Sequence, residues 1–417
     1  MSKPRGRPSP PLLAAYTYDG LYKIVPLKIL VIPDKFKGTL TAPAAAEAIK
    51  RGWRKARPED QVTLLPMSDG GEGFGEVMSE LLGARRQQVR TVDAAHRSCL
   101  APWWWDAKRK TAIIESARVI GLAMLPPNKF HPFELDTFGL CALFQAAIRK
   151  GVKRCLVGIG GSATNDAGFG LARALGWACL DRHGRALERW PELSSLAAIR
   201  PPRRRRWFDE VVVAVDAQNP FLGRRGATRI YGPQKGLRPR DFLKAERCLA
   251  RLKTIWKKEF GRDFSQVPGT GAAGGLGFGL MAFTNARLQP GFELFARSAA
   301  LERRLRVADL VVTGEGAIDR STFMGKGVGQ IALRCSSLGL RCIGLAGAVA
   351  RSPRLERAFS QLRALTELTS EEEAKARPAY WLERLTERVA SAISAQRLER
   401  CKELFALRHK YSVENHR

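Results

Sequence analysis

Short apolar runs alternate with longer segments of helical period, first near the start of the chain and again near its end. Residues 28–34 read as a strand buried on both faces, because they are almost all apolar and partly β-branched. A helix follows, with Thr41 as its N-cap and Pro58 beyond its end. We expect further strands at 62–67, 310–313, 342–345 and 364–368, and further helices at 72–82, 325–338, 353–359 and 378–393. This alternation predicts an α/β fold in which both chain ends share one parallel sheet.

The middle of the chain has strands of its own, at residues 155–159 and 211–215, joined by glycine-rich segments. Three consecutive tryptophans at 103–105 are interpreted as a packed strand or interface, not as a stacking platform for nucleic acid. In a parallel sheet the loops after the strands lie at one edge, where ligands bind. The polar positions that follow the predicted strands are Asp34, Lys35, Lys37, 68–72, 160–166, 216–219, 314–316 and Asp319. We expect one cleft to gather them.

Composition narrows the class of protein. Hydrophobic residues make up 45% of the 417 positions, enough for two domain cores. No apolar run approaches the roughly 18 to 20 residues of a membrane-spanning helix. The eight cysteines include no Cys-x-x-Cys pair, so we expect reduced thiols in a cytoplasmic protein.

The net charge of +30 raises nucleic-acid binding as an alternative function. The charge is spread over the body of the chain, and its one dense run, at 200–206, is interpreted as a solvated loop. No RNP or zinc-finger pattern is present, so we expect small-molecule partners and not nucleic acid. Residues 1–26 are expected to be a flexible leader and 396–417 a basic tail.

A glycine-rich turn at residues 160–164 separates a predicted strand from a helix expected at 167–175. Its small side chains let backbone N–H groups approach an anion, at which the helix N-terminus would also point. The pattern suits a phosphate group, and a tight strand-to-helix turn without a ligand has the same pattern.

Phosphoryl transfer requires cations for the phosphates, carboxylates for magnesium, and a group that orients or deprotonates the attacking hydroxyl. The candidate cations are Lys37, Lys235 and Lys326. The candidate metal carboxylates, which helix capping would equally explain, are Asp69, Glu72, Glu315 and Asp319. The candidate bases are Asp216, which closes the strand at 211–215, and Asp166.

Two segments match the dinucleotide-binding fingerprint loosely, one beginning at Gly158 and one at Gly269. The second follows no convincing strand, and the acidic residue after the first, Asp181, lies in a polar turn. An NAD-dependent oxidoreductase is therefore an alternative. A Walker A motif is absent, since Lys326 is followed by Gly327 in place of Ser or Thr.

Several blocks in one order resemble the bacterial type I glycerate kinase family over nearly all of residues 27–393. These blocks are 33–40, 68–73, 158–166, 216–220, 232–236, 268–275 and 313–316, with Asp319 and Gly325-Lys326. The resemblance implies ATP and Mg²⁺, and glycerate as substrate, with D-glycerate giving 2-phosphoglycerate. It also implies a Rossmann-like three-layer domain built from 27–68 and 287–395, with an α/β domain inserted at 69–286.

The residues and the resemblance together define a predicted site. Its catalytic positions are Asp216, Asp166, Asp69 and Lys37. Its substrate- or phosphate-binding positions are Asp34, Gly160, Gly161, Ser162, Thr164, Asn165, Asn219, Lys235, Gly314, Glu315, Gly316 and Lys326. Its metal ligands are Asp69, Glu72 and Asp319.

The chain also departs from the family pattern. The family usually has Ser at Lys35, Thr at Phe74, Arg at Ala317 and Gln at Ser321. A Gly-Thr-Gly-Glu run is replaced by Gly139 with Leu140, Cys141 and Ala142. These differences mark a divergent member, and a catalytically weakened kinase paralogue with a binding role is a further alternative.

Overall fold

The computed structural model describes residues 15–16, 22–23, 26–204, 206–323, 327–350 and 352–393. The chain divides into two compact units. Unit 1 comprises residues 1–67 and 300–417, and unit 2 comprises residues 68–299.

The strands of the described residues, in chain order, are β1 Ala15–Tyr16, β2 Tyr22–Lys23, β3 Lys28–Pro33, β4 Gln61–Leu64, β5 Arg85–Val92, β6 Ser98–Asp106, β7 Thr111–Glu115, β8 Arg154–Gly158, β9 Ala178–Leu180, β10 Ala198–Arg200, β11 Glu210–Val215, β12 Arg287–Pro290, β13 Leu310–Ile318, β14 Arg341–Val349 and β15 Gln361–Ala364. The α-helices are α1 Ala42–Ala56, α2 Phe74–Leu82, α3 Ala117–Ile120, α4 Leu140–Arg149, α5 Phe169–Ala174, α6 Ala227–Tyr231, α7 Pro239–Phe260, α8 Ala272–Thr284, α9 Gly291–Ser298, α10 Leu301–Arg306, α11 Gly327–Ser337, α12 Pro353–Ala358 and α13 Glu371–Ala376, followed by a helical stretch at 378–393.

Unit 1 contains a five-stranded parallel sheet in the order β15-β14-β13-β3-β4. β3 and β13 are neighbours, with Val31 paired to Val312, so the two chain ends build one sheet as predicted. Both faces of β3 are buried, which is the pattern expected for a strand covered by helices on each side. Unit 1 is therefore a Rossmann-like α/β domain, interrupted in sequence by unit 2.

The first helix of unit 1 begins as the sequence indicates. The Thr41 side chain accepts a hydrogen bond from the Ala44 N–H at 3.3 Å, which satisfies one of the N–H groups left open at a helix start. The apolar side chains of α1, including Ile49 and Trp53, are buried against the sheet together with residues of the 378–393 helix.

Unit 2 contains a six-stranded sheet in the order β12-β11-β8-β7-β6-β5. Its first four strands are parallel, and β6 and β5 continue it antiparallel. Trp103 and Trp104 lie on β6, buried in two different apolar clusters, because successive side chains of a strand point to opposite faces. The tryptophan run is therefore a packed strand, as interpreted from the sequence.

Several expected bounds differ from the structure. The strand expected at 62–67 ends at Leu64, and the one expected at 310–313 continues to Ile318. Residues 287–299, which the sequence analysis joins to the terminal domain, belong to unit 2, because β12 pairs in parallel with β11. The strand expected at 364–368 lies earlier, at Gln361–Ala364, and the chain then turns at Leu365–Glu367, where Glu367 accepts the Ala364 N–H at 2.9 Å.

Several predicted features lie outside the described residues: Lys326, the tail at 396–417, and the leader apart from Pro26 and the short antiparallel pair of β1 with β2. Among the residues that are described, none of the helices combines the length and the apolar character required to cross a membrane.

Candidate active-site loops

The loop after β3 in unit 1 is held against β13. The Asp34 N–H donates to the Gly314 carbonyl at 2.8 Å, and the buried Asp34 carboxylate accepts the Lys35 N–H at 2.7 Å. Lys37 follows in a tight turn and is exposed. The predicted positions Asp34 and Lys37 therefore share one loop at the carboxyl edge of the unit 1 sheet.

The sequence analysis ends a strand at residue 313, but β13 continues to Ile318, so Gly314 and Gly316 lie on this strand and not in a loop. A Cβ on Gly316 would lie 3.2 Å from the Lys37 nitrogen, and one on Gly314 would lie 2.2 Å from the Leu345 carbonyl oxygen. These distances explain the two glycines by close backbone approach.

The acidic residues of this edge are oriented by neighbours. Glu315 accepts a hydrogen bond from the Thr322 hydroxyl at 2.9 Å, and Asp319 accepts the Ser321 N–H at 2.7 Å. Thr322 is fully buried and was not predicted from the sequence. Its hydroxyl links Glu315 on β13 to the turn at Asp319, since it also accepts the Asp319 N–H at 3.1 Å.

In unit 2 the predicted loops at 68–72 and 160–166 meet at the carboxyl ends of β8 and β11. The Gly160 N–H donates to the Gly70 carbonyl at 3.1 Å, and a Cβ on Gly70 would lie 2.8 Å from the Ala214 carbonyl oxygen. A Cβ on Gly291 would lie 1.7 Å from the carbonyl oxygen of Asp69. Glycines thus bring the loop with Asp69 and the exposed Glu72 directly onto the loop at 158–166.

The side chains of the 160–166 loop are buried and bonded to one another. The Ser162 and Thr164 hydroxyls are 3.0 Å apart, and the Asn165 amide donates to the Thr228 hydroxyl at 3.2 Å. Among the described residues, the side-chain amide oxygen of Asn165 is buried and has no hydrogen-bond partner.

The backbone of the same loop offers fewer N–H groups than the sequence suggested. Those of Gly160, Ala163 and Thr164 donate within the protein, to Gly70, Ile120 and the Ser162 hydroxyl. The helix that follows, α5, has six residues, and its first N–H groups are also used internally. Phosphate contacts through an open helix N-terminus are therefore not part of this loop.

Asp166 occupies that helix N-terminus. Its carboxylate is fully buried and accepts the Thr137 N–H at 2.9 Å and the Thr137 hydroxyl at 2.7 Å. It also accepts the N–H groups of Gly168 at 3.2 Å and Gly170 at 2.9 Å. Burial raises the pKa of Asp166 to about 6, the nearby Asp136 adds to the shift, and the hydrogen bonds from Gly170 and Thr137 oppose it.

Lys235 approaches the loop from the 3₁₀ turn at Pro233–Lys235. Its ammonium group donates to the Thr164 carbonyl at 2.6 Å, and the residue is only 6% exposed. Burial lowers the pKa of Lys235 to about 7, against the attraction of Asp166. The loop is thus fixed by a buried cation on one side and a buried carboxylate on the other.

Asp216 lies immediately after β11 and is exposed at the carboxyl edge. Asn219 accepts a hydrogen bond from the Tyr231 hydroxyl at 2.6 Å and donates to the Arg225 carbonyl at 2.8 Å. Burial raises the pKa of Tyr231 to about 12, with the charge of Asp216 as a second cause. Tyr231, which the sequence analysis missed, therefore orients Asn219 in the loop that begins at Asp216.

A second group that the sequence analysis missed is Glu115, at the end of β7. Its carboxylate accepts the N–H groups of Gly73 at 3.1 Å and Gly75 at 2.9 Å, so it holds the start of α2 and the end of the 68–73 loop. Burial raises the pKa of Glu115 to about 7, and Arg118, 3.2 Å away, opposes the shift. Arg118 also pairs with Glu76.

The predicted magnesium ligands are not preassembled within either unit. No group of three His, Cys, Asp or Glu side chains in the described parts of the chain is arranged to hold a metal ion. Asp69 and Glu72 lie in unit 2, and Glu315 and Asp319 in unit 1. Oxygen donors in ones and twos suit Mg²⁺, which binds proteins through one or two carboxylates and takes its other ligands from water and substrate phosphates.

The departures from the family pattern fall into two kinds. Phe74, Leu140 and Cys141 are buried, and the Phe74 ring packs where a Cβ on Gly158 would lie 2.6 Å away. Lys35 and Ala142 are partly exposed, Ala317 is exposed, and Ser321 is hydrogen-bonded to Asp319. The first kind alters packing beneath the loops, and the second alters groups at their surface.

The second dinucleotide fingerprint, which begins at Gly269, is explained by packing. Ala273, Gly274 and Gly275 all have left-handed backbone angles, and a Cβ on Gly274 would lie 2.0 Å from the Thr164 carbonyl oxygen. In the described chain, the segment just before these glycines is not a strand. The glycines at 269–275 therefore brace the 160–166 loop, and they do not have the strand-to-helix context that a dinucleotide requires.

Comparison with known proteins identifies the family to which this chain is similar. The family model described as glycerate kinase family matches residues 29–394. A glycerate kinase of Halalkalibacterium halodurans is 36% identical over 324 residues, covering 77% of this chain and 85% of the relative. The glycerate 2-kinase of Escherichia coli is 35% identical over 332 residues, covering 78% and 86%.

Structure comparison agrees with these matches. A crystal structure assigned as a putative glycerate kinase 2 from Salmonella typhimurium superposes with a TM-score of 0.76 at 31% identity, covering 90% of this chain and 100% of that one. All three of these relatives bear the name of a glycerate kinase, so nothing favours the NAD-dependent alternative. The chain belongs to the glycerate kinase family, whose members are ATP-dependent kinases of glycerate.

Proposed function

We propose that this protein transfers the γ-phosphoryl group of ATP to the 2-hydroxyl of D-glycerate, giving 2-phosphoglycerate. The observation that carries the proposal is the carboxyl edge of the unit 2 sheet. There the exposed carboxylate of Asp216 follows β11, Asn219 accepts a hydrogen bond from Tyr231, and the buried loop at 160–166 is fixed in place. Family membership supplies the substrate class, and this edge supplies a base and an oriented polar surface for a small hydroxy acid.

Asp216 is assigned as the base of the reaction. As the hydroxyl oxygen of glycerate bonds to the γ-phosphorus and the bond to the ADP oxygen breaks, Asp216 accepts the hydroxyl proton. Its position at the exposed edge lets the carboxylate reach a substrate atom. Asp166 is fully buried behind four hydrogen bonds, so the role that suits it is to position the loop and not to meet substrate.

Lys235 takes a positioning role for the same reason. Its ammonium group is buried and bonded to the Thr164 carbonyl, which leaves phosphate contacts to more exposed cations such as Lys37. Asn219, which is partly exposed, carries the amide group assigned to the hydroxy acid, whereas the fully buried Asn165 is assigned to holding the loop.

Carboxylates in both units are the donors assigned to Mg²⁺. Glu315 and Asp319, oriented by Thr322 and the Ser321 N–H, are the carboxylates assigned to the ion in unit 1, and Asp69 with Glu72 are those assigned in unit 2. When bound, Mg²⁺ neutralises charge on the phosphates of ATP and favours their in-line geometry.

The test is an ATP-dependent assay of the purified full chain over a panel of small hydroxy acids that includes both glycerate enantiomers, lactate and tartronate. We expect turnover with D-glycerate, dependence on Mg²⁺, and a phosphorus NMR signal of 2-phosphoglycerate. Product at the 3-position would overturn the assigned regiochemistry. A folded protein that binds ATP and turns over none of the acids would replace the proposal by the weakened-paralogue alternative.

A further inference from the structure

The opposite edge of the unit 2 sheet is formed by three turns that lead into its parallel strands. They are residues 107–110 before β7, 149–153 before β8, and 203–204 with 206–209 before β11, and we call them together the amino-edge strip. The N–H groups of Lys153 and Arg154 donate to the Lys110 carbonyl at 2.8 and 3.1 Å. The Asp209 N–H donates to the Lys153 carbonyl at 2.8 Å. The three turns are therefore in direct contact and form one continuous surface.

This strip carries more positive charge than its acidic neighbours can neutralise. Arg109 pairs with Asp106, Lys153 with Asp209, and both Arg154 and Arg287 with Glu210. Those pairs use the acidic side chains at this edge. In the described part of the strip, seven exposed basic residues have no acidic partner: Lys108, Lys110, Arg149, Lys150, Arg203, Arg204 and Arg206.

One of these cations is held in place. The Arg204 guanidinium lies 5.5 Å from the centre of the Trp207 ring, and its Nε donates to the Arg206 carbonyl at 3.1 Å. Arg206 in turn donates to the Asp209 carbonyl at 3.0 Å. A guanidinium fixed in this way loses little side-chain entropy when it binds a phosphate group.

Neither the proposed reaction nor a bilayer accounts for the strip. Substrates of parallel α/β sheets bind at the carboxyl edge, which is the other end of β7, β8 and β11. The exposed large apolar residues of the described chain, such as Leu100 and Leu243, include none from these three turns. The strip thus lacks the apolar anchors that let a basic surface insert into a membrane interface.

We propose that the amino-edge strip binds the phosphate backbone of single-stranded nucleic acid, without sequence preference and separately from the kinase reaction. Its recognition elements are a row of unpaired cations and a guanidinium held on an aromatic ring, which suit regularly spaced phosphates. The sequence analysis interpreted the run at 200–206 as a solvated loop. Its contact with the turns at 107–110 and 149–153 is not visible in the sequence, because these segments are far apart along the chain.

The experiment measures fluorescence anisotropy of a labelled RNA of about 20 nucleotides with the full chain, at salt concentrations from about 50 to 200 mM. The test variant replaces one unpaired cation of each turn, as Lys108→Gln, Lys150→Gln and Arg203→Gln. The control variant, Lys258→Gln, Arg306→Gln and Arg357→Gln, removes the same charge from exposed positions outside the strip. Both variants are checked for unchanged ATP-dependent turnover and melting temperature.

We expect the wild type to bind RNA with a steep salt dependence and the control variant to bind nearly as well. The strip variant should lose one to two orders of magnitude in affinity at low salt. Its plot of log K against log salt concentration should flatten by about 2, since each phosphate contact to a single strand contributes roughly 0.7.

Three outcomes would overturn the proposal. The first is no RNA binding by the wild type at about 50 mM salt, and the second is an equal loss in both variants, which would make net charge the cause. The third is binding of vesicles containing phosphatidylserine that depends on the strip while RNA binding does not, which would assign the surface to membranes.

Discussion

The two edges of the unit 2 sheet are built from the ends of the same strands by opposite means. At the carboxyl edge, glycines let three loops touch backbone to backbone, and ionisable groups such as Asp166 and Lys235 are buried. At the amino edge, the turns carry exposed cations, and a Cβ on Gly151 would meet nothing within 4 Å. The first edge fixes positions at the cost of desolvating charges, and the second presents charge to solvent with little steric constraint.

This contrast indicates at which positions a substitution should disturb the active-site loops. Buried polar groups with several hydrogen bonds transmit any change to the loops they hold, whereas exposed unpaired cations act only through their electrostatic field. Equivalent substitutions at the two ends of one strand should therefore have very different consequences.

The largest difference is expected between the two aspartates that flank β11. Asp216→Asn at the carboxyl end should lower kcat by roughly 10²- to 10⁴-fold, the range for a positioned base, with ATP binding retained. Asp209→Asn at the amino end should leave kcat nearly unchanged. Steady-state kinetics, ATP calorimetry and circular dichroism measure both. A folded Asp216→Asn enzyme with near-normal kcat would move the base to Asp69.

Glycines provide the next contrast. Gly291→Ala puts a Cβ 1.7 Å from the Asp69 carbonyl oxygen, so we expect a loss of about 1–3 kcal/mol in unfolding free energy and roughly a tenfold or larger fall in kcat/KM. Gly151→Ala should cost only about 1 kcal/mol, through its left-handed backbone angle, with kinetics unchanged. Equal kinetic effects of the two variants would refute the difference between the edges.

The buried lysine gives a smaller, pH-dependent effect. The folded pKa of Lys235 is lowered to about 7 from an ordinary value near 10.5, so the unfolded chain binds more protons between these limits. Its contribution to stability must therefore rise with pH across that window, by at most about 1.4 kcal/mol per unit. Lys235→Met should remove this rise, while Lys244→Met, an exposed-face control on α7, should keep it.

Urea unfolding between about pH 7 and 9, followed by tryptophan fluorescence, measures the effect. Unit 1 contains only Trp53 and Trp381 of the nine tryptophans, so the signal reports mainly on unit 2. If the unfolding free energies of the wild type and of Lys235→Met change in parallel with pH, Lys235 is not the group that titrates.

The smallest effects on turnover and on melting temperature are expected from substitutions in the amino-edge strip. Its triple variant is expected to change neither turnover nor melting temperature while it loses affinity for RNA, which sharpens the contrast by separating charge from position. Any fall in turnover would show that the strip acts on the kinase site.

The sequence predicts the fold through signals that are local. Continuous apolar runs locate β3, β8 and β11, and Thr41 marks the start of α1, because burial on both faces and helix capping act within a few residues. The boundary near residue 287 was misplaced, since the short β12 is defined only by its pairing with β11.

The site was predicted less completely. Loop residues such as Asp216 and Asn165 follow strands and could be found by that rule. Glu115, Thr137 and Tyr231 act through contacts with segments 12 to 42 residues away, for example the Glu115 contact with Gly73, and no local pattern marks them. Of these three residues, only Glu115 could have been found from the sequence, because it is an acidic residue at the end of an apolar strand.

The pairing of β3 with β13 also orders events during synthesis. Val31 pairs with Val312, which follows unit 2 in the sequence, so the sheet of unit 1 cannot form completely until the ribosome has made the whole of unit 2 and β13. Unit 2 is one continuous stretch and can fold as it emerges, as domains generally do. Until then β3 and α1 expose apolar side chains that the complete sheet would bury. A polypeptide that ends before residue 310 therefore contains a folded unit 2 and an incompletely folded unit 1.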